Sequence, residues 1–238
     1  MTKAVATQEK ALPPAQFDLP DDFQGLQFDQ SDIKLPSCVL WQDKTAIEEL
    51  ADSGIQPGEF CIPVTATKLG ESFEAVVVDK KVTVKTVGPL DPKTKRRETT
   101  RFSSDGVHWD DTGDKIQPAE FQFPASGDKE GVALRTYHYV IIPKGHEQPV
   151  VLSFKGASVK HARSLNYNLM NMTPPWRSWF KFFSAAEDTY FVVQSKPQPK
   201  KLVDQATHEL CLDLYMANRN KRVVSDEMTP DAEEPYYS

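Results

Sequence analysis

A chain of 238 residues with 39% hydrophobic and 26% charged residues can bury one substantial core and is only just long enough for two small domains. That composition excludes a fibre, and no apolar run approaches the roughly 20 residues that a membrane-spanning helix needs, so no membrane partner is expected. Met1-Thr2-Lys3 lacks the apolar stretch of a signal peptide, and Cys38, Cys61 and Cys211 are odd in number and far apart, which points to a reducing, cytoplasmic compartment.

The formal net charge of −6 is unevenly spread. Residues 1–35 hold three bases and six acids, and residues 225–238 hold five acids and no base, which leaves about +2 for the body between them. An acidic protein thus contains a mildly basic domain, so a pI near 5.4 does not exclude nucleic acid. The expected organisation is a flexible acidic arm over 1–35, a single domain over 36–224, and a disordered acidic tail over 225–238.

In chain order, a short helix is predicted from Thr45 to Ala51, capped by Thr45 with Glu48 three residues on and closed by Gly54. The β-branched runs Phe73 to Val78 and Val82 to Val87 read as a hairpin about Asp79-Lys80-Lys81 or as one long bent strand. Residues 88–131 lose periodicity and read as a long mobile insertion. Strands follow at Val132 to Ile142 and Val150 to Lys155, the latter with Val150, Leu152 and Phe154 on one face. A helix from Ser158 to Met170 has Ser158 as N-cap and Val159, Ala162, Leu165 and Leu169 as its apolar stripe. Pro174-Pro175 ends it. Trp176 to Ser184 and Thr189 to Ser195 are further strands, and Lys201 to Asn218 is a second helix with Val203, Ala206, Leu210 and Leu214 inward. The expected fold is therefore mainly β, with the element order of the five-stranded oligonucleotide-binding barrel, a helix between its third and fourth strands, and a C-terminal helix.

The segment from Lys155 to Lys181 carries Lys155, Lys160, Arg163, Arg177 and Lys181 with no acid, among Tyr167, Trp176, Trp179 and Phe180. Arg177, Trp179, Lys181 and Phe183 fall at period 2, as do Arg135, Tyr137 and Tyr139 in an earlier strand. On the helix, Lys160, Arg163 and Tyr167 lie away from the apolar stripe. Single-stranded nucleic acid calls for that mixture, since phosphates need cations and unstacked bases need flat apolar surfaces. The competing reading makes Trp176, Phe180, Phe182 and some tyrosines barrel core. In the tail, Asp226, Glu227, Asp231, Glu233 and Glu234 precede Tyr236 and Tyr237; it could lie in a basic groove or place its rings in a partner.

Catalytic signals are missing. There is no phosphate loop, nucleophile elbow or HExxH, and His108, His138, His146, His161 and His208 are dispersed, so no enzyme activity and no cofactor are expected. Cys61 paired with a distant histidine has no local support. Asp105, Asp110, Asp111 and Asp114 lack the spacing of a calcium loop and read as a solvated loop.

The run Pro149-Val-Val-Leu-Ser-Phe-Lys-Gly-Ala-Ser-Val-Lys-His-Ala-Arg-Ser-Leu-Asn166 resembles a segment of the single-stranded-DNA-binding proteins of tailed bacteriophages. Leu152-Ser153-Phe154, Ser158-Val159-Lys160 and Leu165-Asn166 carry the likeness. The Arg135-Thr-Tyr-His-Tyr-Val-Ile-Ile strand and the Phe102-Ser-Ser-Asp-Gly106 step extend it over about residues 60–196. The resemblance implies a barrel that coats single strands in phage replication or recombination within the host cytoplasm, with an acidic tail that recruits replication or recombination proteins. Some relatives carry loop cysteines suggestive of metal. This chain has none between Cys61 and Cys211, so no metal site is expected.

The sequence thus leads to sequence-tolerant binding of single-stranded DNA. Arg135, Lys155, Lys160, Arg163, Arg177 and Lys181 would meet phosphates, and Tyr137, Tyr139, Trp179 and Phe183 would meet bases. The rival is a structural or adaptor protein, such as a virion or assembly component, whose aromatic strand surface is a protein interface. A nuclease using the Asp105 to Asp114 acids is a third reading. Homo-oligomerisation and the choice between DNA and RNA are left open.

Overall fold

A computed structural model describes residues 35–42, 54–94 and 96–218. The arm, the Thr45 to Ala51 helix and the acidic tail, with Asp226, Glu227, Asp231, Glu233, Glu234, Tyr236 and Tyr237, lie outside the described residues. The fold is mainly β, a sheet curled into a half-barrel with few helices, as the element order led us to expect.

The frame is β4, Ser72–Val87, whose β-branched residues suit a pleated, packed surface. It is one long strand, not a hairpin. Its first residues pair with β8 (Ser178–Glu187), its last with β5 (Thr99–Ser103), and β6 (Leu134–Pro143) runs antiparallel along most of its length. A register shift between Val77 and Asp79 bends it, so that Val77 faces Ile141 and Asp79 faces Val140. On β6 continues β7 (Val150–Phe154), then β1 (Ser37–Leu40), β2 (Phe60–Ile62) and β3 (Thr67–Gly70). The β1–β7 pair is parallel, and the other named pairs are antiparallel. At the other end β9 (Tyr190–Leu202) pairs with β8.

The predicted helix lies where expected, as α1 (Val159–Met170) between β7 and β8. Ser158 stands at its N-cap position, as expected, but its side chain makes no capping hydrogen bond. It ends a 3-10 turn, Gly156–Ser158, in helical geometry, and its Oγ accepts the Val193 N–H at 3.0 Å, tying the helix start to β9. The strand β9 runs on past Ser195 through Pro197 and Pro199, which an edge strand tolerates because no further strand needs their missing N–H groups. The second helix, α2 (Gln205–Asn218), therefore starts later than predicted; Val203, Leu210 and Leu214 pack as expected, Ala206 is exposed, and Cys211 is buried in its place.

Two cores flank the sheet. The inner one joins Cys38 and Leu40 of β1 to Val193 of β9, so strands from distant parts of the sheet meet around Phe60, Tyr139, Phe154, Phe180 and Phe182, with Ala162 and Leu165 of α1 as the lid. Phe73 packs edge-on to Phe60 at 5.1 Å and stacks on Phe182 at 5.5 Å. The outer core packs Val76, Val78, Val140 and Ile142 against α2, with Trp176 and Trp179. The segment 88–131, expected to be mobile, contains β5 and a third small core of Trp109 and Ile116 on Val84 and Ala133. Gly106 belongs to this packing: its φ is +71°, and a Cβ there would lie 2.6 Å from Val82 Cγ1.

The seam of the half-barrel is closed by a side chain. Gln42, just after β1, donates from Nε2 to the Phe191 carbonyl at 2.9 Å and accepts the Phe191 N–H on Oε1 at 2.8 Å, as a neighbouring strand would. Replacing Gln42 with Ala leaves both Phe191 groups unpaired. The expected cost is about 1–3 kcal/mol in chemical denaturation, with amide exchange speeded at Phe191 by at least as much as the global loss that Val140 reports.

Candidate nucleic-acid interface

Strand pairing decides which predicted site residues can act together. On β6 the odd positions face inward, since Tyr139 and Ile141 belong to the inner core while Val140 and Ile142 belong to the outer. Arg135, Tyr137 and Tyr139 therefore share the inner face, as period 2 requires. On β8 the parity is opposite: Phe180 and Phe182 are inward, and Trp179 is in the outer core, so Trp179, Lys181 and Phe183 face outward. The two strand patterns do not meet on one surface. Arg177 precedes the strand altogether, exposed at the end of the 3-10 turn Pro175–Arg177.

Burial removes two of the expected stacking rings. Tyr139 is wholly buried beneath α1, and its hydroxyl donates to Asn166 Oδ1 at 3.0 Å. Burial, with Tyr137 nearby, also pushes its hydroxyl well above the ordinary phenol range. Trp179 is 8% exposed, packed in the outer core with the Lys144 ammonium 5.7 Å from its ring. Neither ring can receive a base without unpacking a core. Phe183 remains half-buried on the outer face, opposite Ser72 and Gln194.

What stays open on the inner side is a strip beside α1. Arg135 is half-buried, with its guanidinium 4.3 Å over the Phe121 ring, and its Nε is buried without a hydrogen-bond partner. No carboxylate pairs with it among the described residues. Tyr137 is half-buried next to it on the strand, with the Lys80 ammonium 5.9 Å from its ring. On α1, Arg163 and Tyr167 are exposed, Tyr167 by 70%, and Met170 by 85%. At about 100° per residue these three lie on the flank that continues from Asn166, the residue bonded to Tyr139. Lys155, directly after β7, is half-buried and already engaged. Lys160 is bound at 2.7 Å to Glu187, which also meets His161 at 3.2 Å; Lys160 foremost holds the Glu187 carboxyl below its usual value. Lys160 thus pins α1 to the β8–β9 hairpin and is not available as Arg163 is.

Two groups of residues escaped the sequence reading. Phe121 and Lys80 flank the inner strip, and only the fold brings them there from the insertion and from the bend of β4. On the outer face Glu74 accepts Lys144 Nζ at 3.3 Å, Gln198 Nε2 at 3.0 Å and Lys201 Nζ. Lys181 is its register partner on β8, and Lys196 lies opposite Lys181 on β9.

The loop acids, two of the thiols and His138 are held within the fold. Asp105 is drawn up by burial, but the His108 and Val107 N–H groups, the His108 ring and Ser103 Oγ outweigh that and hold it well below the carboxylate range. Asp110 accepts from Ser104, and Asp111 is paired with Arg101. Among the described residues no three or more His, Cys, Asp or Glu side chains are grouped to hold a metal. Burial pushes the Cys61 thiol up to about 11, with Glu59 adding to it, and Cys211 up to about 12, far from the thiolate a nucleophile needs. His138 is fully buried between Thr83 and Ser153, at 2.9 Å from each. No helix among the described residues is long and apolar enough to cross a membrane.

Comparisons with protein-family models, with curated proteins and with solved structures returned no match.

Glu74 offers a pH test of the outer cluster. Lys201, then Gln198 and Lys144, hold its carboxyl at about 2 against an ordinary 4.5. A depressed carboxyl stabilises the fold above its unfolded value and loses that contribution as pH falls through the folded value. A carbon-detected NMR titration should find its midpoint near 2, moving toward 4.5 in Lys201→Ala; equal midpoints in the two proteins would contradict the assignment.

Proposed function

We propose that this chain binds single-stranded DNA in a sequence-tolerant way through the inner strip, with Arg135 and Arg163 neutralising phosphates and Tyr137 and Tyr167 stacking bases. The observation that carries the reading is Arg135: a half-buried guanidinium held flat on Phe121, with no carboxylate partner among the described residues. A guanidinium with no carboxylate beside it among the described residues favours an anionic occupant, met by its terminal nitrogens because Nε is closed to solvent. An adjacent half-exposed tyrosine supplies the flat apolar surface that bases need. The acid-free run from Lys155 to Lys181 and the likeness to phage single-stranded-DNA-binding proteins support the same reading and suggest a place in replication or recombination. Trp179 and Tyr139 have no part in it.

The test is a fluorescence titration with labelled oligo-dT at several salt concentrations. Binding should weaken steeply with salt, since each released phosphate counterion contributes about 0.7 to the logarithmic slope for a single strand. Tyr137→Ala should lose roughly 5- to 150-fold in affinity, the worth of one stacked base at about 1–3 kcal/mol. Arg135→Ser should lower both affinity and slope, while Trp179→Phe leaves them as in the wild type. Binding insensitive to salt and to Arg135 would favour an adaptor whose rings meet protein.

The acidic tail completes the proposal. Residues 225–238 carry five acids and would compete with DNA for the basic strip and recruit a protein partner when displaced. A chain ending at residue 224 should therefore bind oligo-dT more tightly at low salt and equally at high salt; unchanged or weaker low-salt binding would rule the competition out.

A further inference from the structure

The outer face holds more positive charge than the fold itself needs. Lys144 and Lys201 share the single carboxylate of Glu74, while Lys181 and Lys196, both exposed, stand directly opposite each other on β8 and β9. Like charges paired across two strands destabilise a sheet, and neither Lys181 nor Lys196 has an acidic partner among the described residues. The β8–β9 register explains the clustering: Ser178 pairs with Leu202 but Phe180 already pairs with Pro197, so the extra β9 residues swing Gln198 and Lys201 over Glu74.

We infer that Lys181 and Lys196 form a second track for the phosphate backbone of the same single strand, beside the Glu74-bound Lys144 and Lys201 and on the face opposite Arg135 and Tyr137. This rests on the nucleic-acid reading above. The track offers point charges without an open ring, Trp179 being packed beneath Lys144, so it holds backbone and leaves bases in water. A shallow cavity of about 460 Å³ beside it is walled by Gln198, Pro199, Lys200 and Lys201, with no aromatic wall to receive the tyrosines of an acidic peptide such as the tail. Lys181 is the partner of Glu74 and Arg135 that of Val84, ten positions along β4, or roughly 33 Å of extended strand. An oligonucleotide short enough for one site cannot reach the other.

The experiment compares oligo-dT of about 4 nucleotides, within the footprint of one module and too short to span both sites, with oligo-dT of about 30. Lys181→Ser/Lys196→Ser should bind the short oligonucleotide like the wild type. With the long one its logarithmic salt slope should be smaller by about 1.4, two phosphates at about 0.7 each, and Lys181→Arg/Lys196→Arg should restore it. Thermal midpoints should be equal or higher in the serine variant, because two opposed charges are removed. An unchanged slope on the long oligonucleotide, with Arg135 still required on both, overturns the second track alone. A wild type that binds neither oligonucleotide overturns the nucleic-acid reading beneath it. Loss of binding to a peptide of residues 225–238, with DNA binding intact, would assign the lysines to the tail and overturn the track.

Discussion

The bend in β4 is the constraint on which the arrangement depends. Before the register shift the odd residues Phe73, Ala75 and Val77 face the inner core; after it the even residues Lys80, Val82 and Val84 do, as their partners Tyr139, Tyr137 and Arg135 show. One extra residue thus exchanges the faces of the strand halfway along. It also turns the strand from β8 toward β5, which lets the sheet curl at one end and carry the Trp109 core at the other. Glu74 is outward and Lys80 inward for this reason, although both are even-numbered residues of one strand.

Burial then sorts the aromatic residues by role. Phe60, Phe73, Phe180 and Phe182 with Tyr139 fill the inside of the half-barrel, the fully buried Phe60, Phe180 and Phe182 each contributing on the order of 1.5–3 kcal/mol by removal from water. Trp176 and Trp179 do the same under α2, where Trp176 Nε1 donates to His208 Nδ1 at 3.2 Å. Of the rings that the proposal uses, Tyr167 is 70% exposed on α1 and Tyr137 is half-buried at the margin of the inner core. Cations divide along similar lines. Lys160 and Lys201 are held by carboxylates and brace the fold, whereas Arg135 is braced by a ring and has no carboxylate partner among the described residues. An ion pair at the surface adds little stability, so the arginine held in place without one is the more informative cation.

Alternation and capping residues were enough to locate β4, β6, β7, α1 and β8 to within a few positions, because each is long and strongly patterned. They were not enough for the hydroxyl of Ser158, which accepts from β9 and not from the helix start, or for the end of β9, expected at Ser195, which runs on through Pro197 and Pro199 because an edge strand has no neighbour to miss their N–H groups. The core of residues 88–131 was likewise hidden. Trp109, Ile116 and Phe121 show no period, and they cohere only because Val84, Ala133 and Arg135 stand beside them.

The amino-acid sequence by itself determined the mainly β class, the placing of α1 between β7 and β8, the excess of acid over base at the chain ends and the shared face of Arg135, Tyr137 and Tyr139. Each of these follows from local spacing or from composition. Only the tertiary structure decided that Trp179 and Lys181 look the other way, that Tyr139 is core, and that Phe121 and Glu74 gather cations around them. Period 2 tells which residues of a strand share a side, but the side that is buried depends on register with neighbours far away in sequence, and a single bulge reverses it.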